Sequence, residues 1–278
     1  MLLITGSNGQ LGNELRLLLG ESAVYVGRDE LDITDEAAVK AFFEARSFDF
    51  VINCAAYTAV DKAEDDFEAA DRINRLGPAL LAKYGKRIVQ VSTDYVFDGT
   101  AHLPYKEKDA VNPVSVYGST KLSGEEAVLA EAETAVVIRT AWLYSSFGAN
   151  FVKTMRRLGA ERDSLGVIFD QVGTPTYAAD LAAAIVAMIP QIKPGMKEIY
   201  HYSNEGVASW YDFAVSIMAE GGLSCSVRPL ETSEYPTKAV RPAYSVLNKA
   251  KIRRDFGITI PHWMDGLRRC LRVLDNAR

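Results

Sequence analysis

Two side chains near the middle of the chain have the types and the spacing needed for proton transfer. Tyr117 and Lys121 are four residues apart in a stretch predicted to be helical, so their side chains would lie on one face, one turn apart. An unperturbed phenol has a pKa of about 10, and an ammonium group nearby favours the phenolate. Lys121 would therefore lower the pKa of Tyr117 and make it a better acid or base near neutrality. Because most such pairs are surface residues, this pair indicates catalysis only if other functional groups lie beside it.

Thr93 is a hydroxyl group that could join this pair. It follows an apolar run over residues 87–92, and open α/β sheets bind their ligands beyond the carboxyl ends of strands. Thr93 could donate a hydrogen bond to a substrate carbonyl that Tyr117 also holds. Together they would stabilise the negative charge that develops on this oxygen as hydride arrives. The alternative is that Thr93 only caps the end of the strand.

A glycine-rich loop follows the first apolar run of the chain. Its residues are Gly6-Ser7-Asn8-Gly9-Gln10-Leu11-Gly12, and a helical pattern begins inside it. Glycines allow the tight turn and let backbone amides approach a pyrophosphate, to which a helix N-terminus adds partial positive charge. The strand–loop–helix context therefore favours dinucleotide binding over an ordinary turn.

The residue type after the second strand favours one nicotinamide coenzyme. NAD-binding proteins usually place an acid there to bind the ribose 2′-hydroxyl, whereas this chain has Arg28, with Asp29 slightly late. A guanidinium can neutralise and hydrogen bond a 2′-phosphate, which an acid would repel. We therefore predict NADPH as the coenzyme. NADH stays open, because Arg28 could equally be a solvated surface residue.

The first half of the chain alternates short apolar runs with helical patterns. Strands that are apolar on both faces and separated by helices indicate a parallel sheet covered on both sides. The sequence thus predicts an α/β fold with a doubly wound parallel sheet of Rossmann type. The predicted strands are 1–5, 23–27, 49–53, 87–92 and 135–139, and the predicted helices are 10–19, 35–46, 67–84 and 115–132.

One proline interrupts the third of these helical patterns. Within an α-helix, Pro78 would clash with the carbonyl of Asn74 and leave it without a donor. We hypothesise that this carbonyl holds a water that links Lys121 to solvent. The alternative is a helix break with no catalytic use.

In the second half of the chain, strand and helix patterns alternate less regularly. This predicts a smaller lobe. We expect a coenzyme-binding domain over residues 1–145 and a mainly substrate-binding lobe over 146–278. Ser209 and Asp212 form a capping-box pattern that opens one helix, which Gly221 ends. The other expected elements are helices 150–159, 178–189 and 261–274 and a strand at 166–169, with helix 178–189 packing back on the first domain.

Composition excludes several classes of function. The chain has 31 basic and 36 acidic residues, a formal net charge of −5, and its basic residues are scattered, which argues against nucleic acid as a partner. Its three cysteines and three histidines match neither a disulfide framework nor a metal site. The apolar stretch 181–189 is too short to span a membrane, and residues 1–12 lack a targeting pattern. We expect a cytoplasmic protein without metal ligands.

The motifs together resemble the extended short-chain dehydrogenase/reductases, and finer features resemble their dTDP-4-dehydrorhamnose reductase branch. The block Ser92-Thr93-Asp94-Tyr95-Val96-Phe97-Asp98-Gly99 is the most specific part, and the resemblance runs from residue 1 to about 250. The other motifs that carry it are Gly6-x-x-Gly9-x-x-Gly12, Asn53-Cys54-Ala55-Ala56, Tyr57-Thr58-Ala59-Val60-Asp61-Lys62-Ala63-Glu64, Tyr117-x-x-x-Lys121, Arg139-Thr140-Ala141-Trp142, Asp170-Gln171-x-Gly173-x-Pro175-Thr176 and Arg241-Pro242-x-x-Ser245.

This resemblance implies an activity and a set of contacts. The activity is NADPH-dependent reduction of the C4 keto group of dTDP-4-dehydro-L-rhamnose to dTDP-L-rhamnose, a precursor of cell-surface polysaccharide. Thr93, Tyr117 and Lys121 would be catalytic, with Tyr117 protonating the C4 oxygen. The coenzyme contacts would come from Gly6, Asn8, Gly9, Gln10, Leu11, Arg28, Asp32, Ile33, Ala55, Ala56, Tyr57 and Lys121, and the dTDP-sugar contacts from Thr58, Val60, Thr93, Tyr95, Trp142, Asn150, Gln171 and Arg241.

Other readings of the same scaffold stay open. A 4,6-dehydratase would need a glutamate after Asp94, where this chain has Tyr95, but an epimerase or another nucleotide-sugar reductase uses the same tyrosine and lysine. The regulatory subunit of methionine adenosyltransferase also resembles this branch and acts as a binding partner. Some members of the branch form a homodimer around Mg²⁺. Glu14 matches one of its acidic ligands but other positions do not clearly match, so Mg²⁺ is doubtful, and both a monomer and a homodimer stay open.

Overall fold

A six-stranded parallel sheet forms the centre of the computed structural model, which describes residues 1–276. The strands run in the order β10-β5-β4-β3-β1-β2, and every neighbouring pair is parallel. This confirms the predicted doubly wound α/β class. The strands of this sheet are β1 (Leu2–Thr5), β2 (Ala23–Val26), β3 (Phe50–Asn53), β4 (Arg87–Thr93), β5 (Thr134–Thr140) and β10 (Lys197–His201).

Most residues of the inner strands are buried, which is why these strands form apolar runs in the sequence. All seven residues of β5 and all four of β3 are buried. The edge strand β10 begins with two exposed charged residues, Lys197 and Glu198. Because this pattern lacks an apolar run, the sequence did not predict β10, although it completes the sheet beside β5.

Helices cover both faces of the sheet. Side-chain caps begin several helices: Asp35, Ser115 and Ser209 each accept a backbone N–H with the side chain, and Asp212 closes the predicted capping box with Ser209. The helices are α1 (Gln10–Leu19), α2 (Glu36–Ala45), α3 (Val60–Ala63), α4 (Phe67–Asp71), α5 (Gly77–Gly85), α6 (Val116–Glu131), α7 (Phe151–Glu161), α8 (Ala178–Met188), α9 (Trp210–Glu220), α10 (Ala250–Phe256) and α11 (Trp263–Asn276).

A π-helical turn, Arg72–Leu76, joins α4 to α5, so the helical stretch predicted over 67–84 is not α-helical along its whole length. The Gly77 N–H donates to the Arg72 carbonyl, five residues earlier. Pro78 has no N–H to donate to the Asn74 carbonyl, which packs closely against Gly124 of α6. The water relay at Asn74 stays a prediction.

The second half of the chain builds its own apolar cluster. Met155 on α7, Phe213 and Ile217 on α9, and Trp263 and Leu267 on α11 pack together in it. Helix α8 packs instead against α1, where its apolar face joins the cluster of the sheet. The short strands are β6 (Leu143–Tyr144), β7 (Ser164–Ile168), β8 (Val172–Gly173), β9 (Thr176–Tyr177), β11 (Ala208–Ser209) and β12 (Ser226–Leu230).

The division at residue 145 stays a prediction. Within residues 1–276, no helix is both long and apolar enough to cross a membrane.

Candidate active site

The end of β4 and the first turns of α6 bring the three predicted catalytic residues together. Ser115 caps α6 by accepting the Gly118 N–H, which places Tyr117 in the first turn and Lys121 in the second. The Thr93 hydroxyl donates to Asp94 Oδ1 at 3.0 Å and accepts the Tyr95 N–H at 3.2 Å, and the Tyr95 ring packs on that of Tyr117. Lys121 is buried, and its Nζ donates to the Val91 carbonyl at 2.6 Å. The arrangement supports the sequence-based grouping of a hydroxyl, a phenol and an ammonium at one edge of the sheet.

The pKa of Tyr117 departs from the sequence-based expectation. Burial raises it to about 12, while the hydrogen bond with Thr93 opposes this rise. The prediction that Lys121 lowers this pKa is therefore wrong for the protein without ligands, where the Lys121 ammonium is bound to the Val91 carbonyl of β4. A phenol with a high pKa stays protonated near neutrality, which suits a proton donor.

A buried ion pair lies directly behind Lys121. Glu125 stands one turn further along α6 and accepts hydrogen bonds from Arg139 of β5, with Nη2 to Oε2 at 2.7 Å. The Ser92 hydroxyl also donates to Glu125. Burial lowers the pKa of Lys121 to about 8, and the negative charge of Glu125 opposes this shift. The network ties β4, β5 and α6 into one rigid support.

The glycine loop has the geometry of an anion cradle. Gly6 has φ +63°, and a Cβ there would lie 2.5 Å from the Ala55 backbone nitrogen. A Cβ on Gly12 would lie 2.5 Å from the Ser7 Cα, so only glycine allows α1 to pack this closely on the loop. Among the described residues, no side chain caps the N-terminus of α1 at Gly9. Its first amides are thus available to a phosphate.

The predicted adenosine-side residues follow β2. Arg28 is exposed, Asn8 packs against Gly27, and Ile33 is buried against Gly77. Hydrogen bonds from the backbone and the hydroxyl of Thr34 lower the pKa of Asp32, and the nearby positive charges of Arg28 and another arginine add to this. That second arginine is Arg72, whose Nη2 lies 3.2 Å from the Thr34 hydroxyl. The sequence analysis did not single it out, because its element carried no coenzyme motif.

The predicted nicotinamide-side residues lie in the turn after β3. Ala55, Ala56 and Tyr57 are all half-buried. Asn53 Oδ1 accepts the Ala55 N–H at 3.1 Å, and the side chain of Asn74 bonds both the N–H and the carbonyl of Tyr57. The turn is therefore held from two sides next to the Gly6 loop.

Of the predicted sugar-side residues, Tyr95 contacts Tyr117. The Tyr95 ring meets the Tyr117 ring edge-on, with centroids 5.5 Å apart. Val60 opens α3, and Thr58 is exposed in the loop before it. Trp142 has φ +48° and stacks on Trp210 at 3.6 Å, so one of its faces is already covered.

Two weaker candidates are occupied within the protein. The Asn150 side-chain amide donates to Gln10 Oε1 and to the Ser145 carbonyl, and its Oδ1 caps α7. The hydrogen bond from Asn150 to Gln10 nevertheless joins two residues that are both predicted to contact ligands. Gln171 is buried and donates to the Thr232 hydroxyl at 3.1 Å.

A cavity of about 660 Å³ lies beside these residues, between α7, β7, β12 and α9. Gln171, Trp210 and Arg241 line it, so two of the predicted contacts open into the same space. The sequence analysis missed other side chains that suit a nucleotide, because arginine and aromatic residues outside a motif read as surface or core. These are Phe151, Arg162, Arg228 and Tyr235.

One acidic residue matches a magnesium ligand of some members of the branch, although the sequence makes Mg²⁺ doubtful. Glu14 is buried in α1, where its carboxylate accepts the Ser145 hydroxyl at 2.6 Å, and burial raises its pKa. Within the described part of the chain, no group of three or more His, Cys, Asp and Glu side chains could hold a metal ion.

Comparison with known proteins gives near-complete matches. Residues 1–276 match the family described as the RmlD substrate binding domain. A dTDP-4-dehydrorhamnose reductase of Aggregatibacter actinomycetemcomitans is 40% identical, with 96% of this chain and 97% of that protein aligned. The crystal structure of a dTDP-4-dehydrorhamnose reductase of Clostridium acetobutylicum is 44% identical, with TM-score 0.94 and 99% of each chain covered. That of Bacillus anthracis, in complex with NADP, is 36% identical, with TM-score 0.94 and 98% of each chain covered. The resemblance inferred from the motifs is confirmed.

Proposed function

The chain belongs to the family of the RmlD substrate binding domain, and on this premise we propose that it reduces the C4 keto group of dTDP-4-dehydro-L-rhamnose to dTDP-L-rhamnose with NADPH. The observation that carries the proposal is that Thr93, at the end of β4, and Tyr117, in the first turn of α6, both contact Tyr95: the Tyr95 N–H donates to the Thr93 hydroxyl at 3.2 Å, and the Tyr95 and Tyr117 rings lie 5.5 Å apart. Two hydroxyls in this position can hold one carbonyl oxygen. A buried ammonium, Lys121, lies one turn further along the same helix.

The residues present fit a nicotinamide dinucleotide. The uncapped N-terminus of α1 and the Gly6–Gly9 turn would hold the pyrophosphate. Arg28 would bind the 2′-phosphate of NADPH, with Arg72 beside it, and Lys121 would bind the nicotinamide ribose. When bound, the coenzyme supplies the hydride for C4.

The chain itself supplies the proton and stabilises the charge. Tyr117, kept protonated by burial, donates its proton to the C4 oxygen, and its pKa of about 12 lies below that of a sugar alcohol. Thr93 donates a hydrogen bond to the same oxygen as negative charge develops there. The Lys121 ammonium, bound to the Val91 carbonyl in the protein without ligands, would have to turn towards the bound coenzyme before it could favour the phenolate.

The substrate side fits a nucleotide sugar. The aromatic rings of Phe151, Trp210 and Tyr235 can pack on a base, and the arginines of the cavity match the fork geometry of a diphosphate. The Tyr95 ring beside Tyr117 offers an apolar face to the methyl group of a 6-deoxy sugar. Tyr95 also occupies the position where a dehydratase would need a carboxylate, which favours simple reduction. We place this activity in the cytoplasm, in a monomer or a homodimer.

The test is oxidation of NADPH, followed by its absorbance, with purified protein and enzymatically generated dTDP-4-keto-L-rhamnose. Tyr117→Phe removes the proton donor and should lower kcat at least 100-fold. Tyr84→Phe is the matched control, because the Tyr84 hydroxyl bonds Glu36 on the protein surface, and it should retain wild-type kcat.

Failure of the wild-type protein to oxidise NADPH with this sugar, despite measurable NADPH binding, would refute the proposed substrate. Failure with a panel of nucleotide keto-sugars would instead favour the binding-partner interpretation.

A further inference from the structure

A loop from the second half of the chain reaches across to the coenzyme-binding half. Residues 235–241, here called the strap, follow a short turn after β12 and end at Arg241. Tyr235, Thr237 and Arg241 line the 660 Å³ cavity, and Ala239 between them is buried. The strap therefore forms one wall of the proposed nucleotide site.

Asp61 of α3 is the main anchor of the strap. Its carboxylate accepts Arg241 Nη2 at 2.6 Å, Arg241 Nη1 at 3.1 Å and the Ala239 N–H at 3.0 Å. The Ala239 carbonyl accepts a further bond from Arg241 Nη1 at 3.2 Å. These contacts use three of the five N–H donors of the guanidinium. Two donors therefore remain for other partners.

The helix that carries Asp61 is itself fixed to the catalytic helix. Glu64, at the end of α3, accepts the Val116 N–H at 2.9 Å, at the start of the helix that carries Tyr117. The Arg241 guanidinium also lies close to the Tyr95 side chain. Because the Tyr95 ring packs edge-on against Tyr117, Arg241 lies between the cavity and the reacting end of the site.

We propose that Asp61 is a positioning residue for the reduction: it holds Arg241 and the strap against Tyr95, so that the free guanidinium donors meet the substrate diphosphate. The inference rests on the proposed function. Asp61 acts only through Arg241, and its charge pairs with the guanidinium, so that the site presents directed donors rather than a free arginine that rotates with the loop.

A second ion pair on the same strap provides a matched control. Lys238 pairs with Asp65, one turn beyond Asp61, and both side chains are at least half exposed. Asp61→Asn and Asp65→Asn each remove one carboxylate that anchors the strap. Of the two carboxylates, only that of Asp61 contacts Arg241. Asp61→Asn should raise the KM for the keto-sugar about tenfold with kcat within threefold of wild type. Asp65→Asn should change neither by more than about twofold.

Three further readouts separate positioning from a general loss of structure. The Kd for NADPH should be unchanged in both variants, because the coenzyme residues lie on other elements. Binding of dTDP alone, measured by calorimetry, should weaken in Asp61→Asn and not in Asp65→Asn. Asp61→Glu keeps the charge and should recover part of the lost affinity.

Hydrogen–deuterium exchange over residues 235–241 tests the anchor without any ligand. Exchange should be faster in Asp61→Asn than in Asp65→Asn and wild type. Equal exchange in the two variants would overturn the proposal. So would a lower KM in Asp61→Asn, or a loss of thermal stability and NADPH binding with KM unchanged. If the wild-type protein neither reduces the sugar nor binds dTDP, the proposed function fails, whereas the exchange result still decides whether Asp61 holds the strap.

Discussion

The Glu125–Arg139 pair allows a quantitative test of what supports the catalytic lysine. Both side chains are almost completely buried, with exposed fractions of 2% and 3%. Arg139 donates Nε to both carboxylate oxygens, at 3.0 and 3.1 Å, and Nη2 to Oε2 at 2.7 Å. Glu125→Gln keeps the size of the side chain but removes its charge. The Arg139 guanidinium would then remain buried without its charged partner, close to the Lys121 ammonium.

Removing one partner of a buried ion pair costs about 3–5 kcal/mol, because the remaining charge loses its compensation. A domain of ordinary stability has about 5–15 kcal/mol in total, so the variant should be strongly destabilised. Arg268 and Glu220 are the matched control: the same two residue types bond in the same bidentate way, at 2.9 and 3.0 Å, but with 46% and 28% exposure. Glu220→Gln should have little effect on stability, because water screens this pair.

The assay is equilibrium unfolding in urea at pH 7, in low and in high salt. The free energies of unfolding of the two variants should differ by at least about 2 kcal/mol. High salt should weaken only the exposed Arg268–Glu220 pair. The double variant Glu125→Leu/Arg139→Met should recover much of the loss, since no buried charge remains. If Glu125→Gln costs no more than Glu220→Gln, burial does not make this pair structurally important and the reasoning is wrong.

Three further predictions concern the site. Burial lowers the pKa of Lys121 to about 8, so its ammonium loses its proton as the pH rises through 8 and kcat should fall above that pH; a kcat that stays constant to pH 9.5 would contradict this. Burial raises the pKa of Asp94 to about 6, so the folded state binds more protons than the unfolded state between about pH 4 and 6 and loses stability as the pH rises through this window. The free energy of unfolding of Asp94→Asn, measured in urea, should therefore increase relative to that of wild type from pH 4 to pH 8. A difference between the two proteins that does not vary with pH would refute the raised pKa of Asp94. Arg28→Gln should raise the KM for NADPH about tenfold and leave that for NADH within twofold, and an equal effect on both coenzymes would show that Arg28 does not bind the 2′-phosphate.

Local patterns were sufficient to predict the sheet and most helix starts. The five apolar strands could be predicted because most of their residues are buried, and the capping box of α9 because its bonds join positions three residues apart. Strand β10 could not be predicted in this way, because it begins with exposed charges and depends on pairing with β5. The π-helical turn before Pro78 was missed for a related reason: the proline shows that an α-helical bond is absent, but the packing against α6 selects the structure that replaces it.

The sequence by itself determined the chemistry: a phenol and an ammonium one helical turn apart, a hydroxyl at the end of a strand, and a glycine loop before a helix. These features depend on neighbours along the chain, so residue types and spacing are enough to predict them. Only the tertiary structure decided the energetics of those groups and the shape of the substrate side. The pKa of Tyr117 rises because residues from distant segments exclude water from it. Asp61 and Arg241, 180 residues apart, meet because two halves of the chain pack together, and such pairings cannot be inferred from local sequence.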